Sequence, residues 1–128
     1  MEPLEKVIER LSPAGERICQ ALRDKAGRLG VASSRQVVAD WNGARFSLSR
    51  DPFSGTDSLV GIWKNDSGMD CGKIIFHDDQ SGYAEFDIMK PHSQYPGMII
   101  LAIEAWLSAG EVKTDVQLMP DPESGVRS

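Results

Sequence analysis

The run His77-Asp78-Asp79-Gln80-Ser81-Gly82 sets an imidazole beside two carboxylates, and Glu85 and Asp87 follow within a few residues. A histidine among carboxylates is a metal-ligand set. With Asp51 and Asp57 from an earlier loop, the carboxylates would suit a hard cation such as Ca²⁺ or Mg²⁺. The same groups could serve as general acids or bases. Their spacing fixes no coordination geometry, and Asp, Ser and Gly in such a run are turn formers. The reading is a polar site of Asp51, Asp57, His77, Asp78 and Asp79 at one end of a sheet, with no metal and no other cofactor. His92 follows Pro91 in what reads as an exposed link, at the opposite end of that sheet from His77.

Other chemistry is weakly signalled. Cys19 and Cys71 are too few for a disulfide framework and read as free thiols of a reducing, cytoplasmic compartment. Cys19 falls on an amphipathic helix, and Cys71 sits about six residues along a strand from His77, too far for a nucleophile–base pair. No Walker loop, Gly-x-Ser-x-Gly, Cys-x-x-Cys or His-Glu-x-x-His motif occurs. No catalytic residue is assigned.

The elements that must carry these residues follow from periodicity. Leu4, Val7, Ile8 and Leu11, then Ile18, Ala21, Leu22 and Leu29, predict an N-terminal helix over 4–29, broken or kinked at Ser12-Pro13. Trp41-Asn42-Gly43-Ala44 between alternating runs predicts a type I′ hairpin that pairs Asp40 with Arg45. Strands follow over 58–64, 71–77 and 83–89, and a five-residue turn at 78–82 would pair Lys73 with Asp87. Gly72, Ile74, Phe76, Ala84, Phe86 and Ile88 share one face, joined by Leu59, Gly61 and Trp63. Residues 97–109, apolar nearly all round, read as a second, buried helix ended by Gly110. Residues 112–118 alternate as a sixth strand, which a helical crossover would allow to lie parallel to the fifth.

The expected fold class is α+β, in the order α-βββββ-α-β: an antiparallel meander of about five strands, a sixth after a helical crossover, and two helices. Residues 1–119 would form one domain and 120–128 a flexible tail. The chain of 128 residues has a formal net charge of −5. Residues 1–50 carry 9 Lys/Arg against 6 Asp/Glu, and residues 51–128 carry 5 against 13. That imbalance suits self-association or an oppositely charged protein, whereas an acidic chain argues against nucleic acid. The longest apolar run, 98–103, is too short to cross a bilayer.

One surface feature is not absorbed by the core. Val60, Ile62 and Ile75 fall on the second face of the sheet, which a two-layer domain would leave wet. They define an expected interface, covered either by a helix of the same chain or by another subunit. The functional expectation is a non-enzymatic protein-binding or adaptor domain, self-associating as a homodimer. The alternatives are a small enzyme using carboxylates or a histidine at one end of the sheet, and a small-molecule binder. The binder's pocket would lie between sheet and second helix, lined by Trp41, Trp63, Phe76 and Trp106.

Overall fold

The computed structural model describes residues 3–29, 39–50, 57–64, 67–78, 81–92 and 95–121. The chain is α+β, with one long helix and an antiparallel sheet. Helix α1 spans Leu4–Arg28, and a 3-10 turn at Trp41–Gly43 follows. Among the described residues, six strands complete the order: β1 Arg45–Arg50, β2 Asp57–Lys64, β3 Asp70–Asp78, β4 Ser81–Pro91, β5 Met98–Ser108 and β6 Glu111–Pro120. They are hydrogen-bonded in sequence order, every pair antiparallel.

The apolar stripe of α1 explains its place. Val7, Leu11, Gly15, Ile18, Cys19, Leu22 and Ala26 recur at three- and four-residue steps and are all buried. They pack on the sheet face formed by Leu59, Trp63, Ile74, Phe76, Ala84, Phe86, Ile103, Ala105 and Leu107. Each fully buried Leu, Ile or Phe there contributes roughly 1.5–3 kcal/mol. Trp41 closes one end of this core, its ring 4.6 Å from Phe46 and 6.0 Å from Phe76. Gly15 lets the helix approach, since a Cβ there would collide with the Trp41 ring. The backbone beside Trp41 is tied on two sides. Arg23 Nη1 donates to Ala39 O (2.6 Å) and Trp63 Nε1 donates to Asp40 O (2.8 Å).

Four expectations are corrected. First, α1 is not broken at Ser12-Pro13 and runs through Pro13 as one helix. Its long buried stripe offsets the single backbone hydrogen bond that proline cannot donate. Second, Asn42-Gly43 is a 3-10 turn and not a hairpin: Gly43 lacks positive φ, and Ala39 and Asp40 are not in a strand. Residues 30–38, which hold the rest of the expected first strand, lie outside the described residues.

Third, residues 98–108 form β5, so there is no second buried helix at this position. Ile99, Ile100 and Ile103 are β-branched, and Ile103, Ala105 and Leu107 face the core while Glu104 and Trp106 face outward. β6 then pairs antiparallel with β5, not parallel after a crossover. The link is a two-residue turn in which Ala109 (φ 53) and Gly110 (φ 80) both adopt positive φ, as a type I′ turn requires. Fourth, β3 and β4 pair two residues away from the expected register: Lys73 opposes Glu85 and Ile75 opposes Tyr83. A bulge between Phe76 and Asp78 lets Asp78 pair with Ser81 across a tighter turn. A slip of two residues keeps every side chain on its face, so the expected core face is the observed one. At the far end β6 continues to Pro120, and Asp121 N donates to Gly97 O (2.8 Å).

Candidate functional site

Helix α1 occupies one face of the sheet, and no described helix lies on the other. Register sets the composition of this outer face. One cross-strand row runs Ser47, Val60, Ile75, Tyr83, Trp106, Lys113 from β1 to β6. The next runs Arg45, Ile62, Lys73, Glu85, Glu104, Asp115. The first row is apolar at its centre, where Val60, Ile75 and Tyr83 are half-buried by their neighbours and Trp106 is 36% exposed. Tyr83 and Trp106 pack at 5.7 Å between ring centroids. The second row is divided by charge, with Arg45 and Lys73 toward β1 and three acids toward β6. The expected residues Val60, Ile62 and Ile75 thus sit together, and Tyr83 and Trp106 extend the patch across two more strands. A helical reading of 97–109 hides Trp106 from this face, and only the strand places it there.

The three acids stand directly opposite one another, an arrangement that repels in isolation. A hydrogen-bonded strip relieves it in part. Tyr83 OH contacts Glu85 Oε1 (2.8 Å) and Glu104 Oε2 (2.5 Å), and Gln117 Nε2 donates to the same Glu104 oxygen (2.8 Å). Burial and these two acceptors push the Tyr83 phenol up from its ordinary value, so it stays protonated. Asp87 extends the strip, its carboxyl raised by partial desolvation and by a hydrogen bond and charge repulsion from Glu85, against the pull of Lys73. Beside it lies a shallow concavity of about 190 Å³ lined by Ile62, Asp70, Gly72, Lys73, Glu85 and Asp87.

The expected polar end of the sheet is partly assembled. Asp57 pairs with Arg50 Nε (3.4 Å), and Asp78 Oδ1 accepts from Ser81 N (2.9 Å) and Ser81 Oγ (3.0 Å), the role of a turn former. His77 Nδ1 lies 3.1 Å from Ser58 Oγ, a contact that the sequence distance between the two residues conceals. Asp51 and Asp79 lie outside the described residues. Among the described residues, no group of three or more His, Cys, Asp or Glu side chains is placed to hold a metal ion.

His92, expected to be exposed, is buried at 9% exposure, its backbone N bound to Met98 O (2.9 Å) and its ring 4.8 Å from that of Tyr95. Both cysteines are free. Burial pushes the Cys19 thiol up to about 12, and burial with Asp87 and Asp70 raises that of Cys71. Neither is an activated nucleophile. The pocket expected between sheet and second helix does not form, because the residues expected to make that helix are β5: Trp41, Trp63 and Phe76 are core, and Trp106 is on the other face. No described helix is long and apolar enough to cross a membrane. Comparison with family models, with curated proteins and with solved structures finds no match to this chain.

Proposed function

We propose that this chain is a non-enzymatic protein-binding domain that self-associates through the outer face of its sheet. The observation that carries this reading is the row Val60–Ile75–Tyr83–Trp106, an apolar band across four adjacent strands on the face away from α1. Ile62, next to Val60 on the same face of β2, belongs to the patch. Contiguous apolar surface of this kind marks protein contacts more often than isolated exposed residues do. The partner is protein and not nucleic acid, since acids dominate half of the face. A reducing, cytoplasmic setting suits the two free thiols.

The test is sedimentation velocity over a concentration series. The wild type should show a monomer–dimer equilibrium, and Ile62→Glu should give a folded monomer by circular dichroism. A wild type that stays monomeric throughout would exclude the reading.

One observation favours a second reading, a small hydrolase: Ser58 and His77 have the spacing of a nucleophile and its base, with Asp57 adjacent in sequence. Ser58 is buried at 8% exposure, which speaks against easy substrate access. Labelling by a fluorophosphonate probe that Ser58→Ala abolishes would establish it.

A further inference from the structure

The two rows of the outer face are complementary to themselves under one particular symmetry operation. Consider a twofold axis lying in the interface, parallel to the strands and between β3 and β4. It sets β1 over β6, β2 over β5 and β3 over β4 of a second copy, and keeps each row over its counterpart. Applied to the observed register, it places Val60 on Trp106 and Ile75 on Tyr83. It also places Arg45 on Asp115 and Lys73 on Glu85. Ile62 falls on Glu104, whose Oε2 already accepts from Tyr83 and Gln117 within its own chain. Each pairing occurs twice, as an isologous interface demands. An axis perpendicular to the strands would instead set β1 over β1 and β6 over β6. That would bring the acidic half of one copy against the acidic half of the other.

We propose that two copies of this chain stack outer face to outer face about this axis, in a sandwich whose sheets are aligned within about 30°. The inference rests on the self-association proposed above and adds its geometry. The second copy is the occupant that the charges select. Glu85, Glu104 and Asp115 stand side by side on one half of the face, and the cations that would answer the outer two, Lys73 for Glu85 and Arg45 for Asp115, lie on the other half of the same face. The apolar band crosses the middle, so one surface supplies both the patch and its complement. The face measures roughly 24 Å across six strands and about 20 Å along them, or on the order of 1,000 Å² buried in all. That is at the low end for specific interfaces, so the expected dimer dissociates in the micromolar range, at roughly 1–100 μM.

Reciprocal charge reversal tests the axis. Arg45→Asp alone would set the introduced carboxylate against Asp115 twice, and Asp115→Arg alone would set the introduced guanidinium against Arg45 twice. Each variant by itself should dimerise about tenfold or more weakly than wild type. An equimolar mixture should form a heterodimer about tenfold or more tighter than either variant's homodimer, because one of its two contacts is the native Arg45–Asp115 pair, the other is the same pair with its charges exchanged, and no like-charged pair forms. Both residues are exposed, and circular dichroism checks that the variants fold. Tryptophan emission gives a second readout: Trp106 should be covered on dimerisation, so the wild-type spectrum should shift to the blue with concentration and that of Arg45→Asp should not. If both variants dimerise like wild type, or their mixture shows no preference for the heterodimer, the axis is wrong while self-association stands. A wild type that is monomeric throughout overturns both.

Discussion

At the scale of single residues, the outer face holds a proton-sensitive element in Asp87. Its carboxyl is raised above the ordinary carboxylate value, so in the window between the two values the folded chain binds more protons than the unfolded one. Asp87 therefore favours the fold below the ordinary value, and that contribution is lost as pH rises through the raised one. Relative to Asp87→Asn, the wild type should lose thermal stability as pH is raised from about 4 to about 7. At pH 7 the asparagine variant should melt higher. Paired melting curves across that range check this, and a wild type that gains on the variant as pH rises would mean that Lys73 outweighs Glu85. Of the site itself, Val60, Ile62 and Ile75 are legible in the sequence because strand alternation alone places them opposite the core. Tyr83 with Glu104, Trp106 and Gln117 is not, because those contacts need the correct strand at 98–108. The Ser58–His77 contact is not legible either, since it depends on register between two strands and leaves no local pattern.

At the scale of elements, the turn chemistry expected at Asn42-Gly43 is found instead at Ala109-Gly110. Asparagine and glycine permit a type I′ turn but do not compel one. Here Trp41 is needed as a core plug, and packing it beneath Phe46 and against Gly15 turns the chain into a 3-10 bend. A Cβ at Gly43 would meet nothing closer than 3.8 Å, so Gly43→Ala should leave the melting temperature nearly unchanged. Ala109 is the opposite case, a residue with a side chain held at φ 53. A left-handed conformation costs an L-residue about 1–2 kcal/mol, so Ala109→Gly or Ala109→Asn should stabilise the fold by roughly 1 kcal/mol in chemical denaturation. No gain would argue against the turn. β5 escapes a reading by periodicity because an almost continuous apolar run fits either a buried helix or a central strand. Its isoleucines are the signal that could decide it.

At the scale of the whole molecule, α1 and the sheet satisfy each other on one side, and the outer face is left with two halves of opposite charge. If those halves meet in a dimer, salt should loosen it: raising ionic strength from about 0.05 to 0.5 M should weaken self-association several-fold, as exposed pairs are screened. A dimer indifferent to salt would assign the association to the apolar band alone. The core face is legible in the sequence, because two-residue alternation survives a slip of two; the layer count is not, because alternation does not say which face the helix covers. Strand order in the 98–120 region is not. The sequential order of the sheet also bears on how the chain is made. Each strand can pair with the one just before it as it leaves the ribosome, whereas α1 packs chiefly on β5 and β6, which are made last. About 80 residues separate the end of the helix at Arg28 from the end of β5 at Ser108, which is roughly 4–16 s of synthesis. Throughout that interval the stripe from Val7 to Ala26 is without its full complement of strands, and the nascent helix is the segment that a holdase working at the exit tunnel would grip.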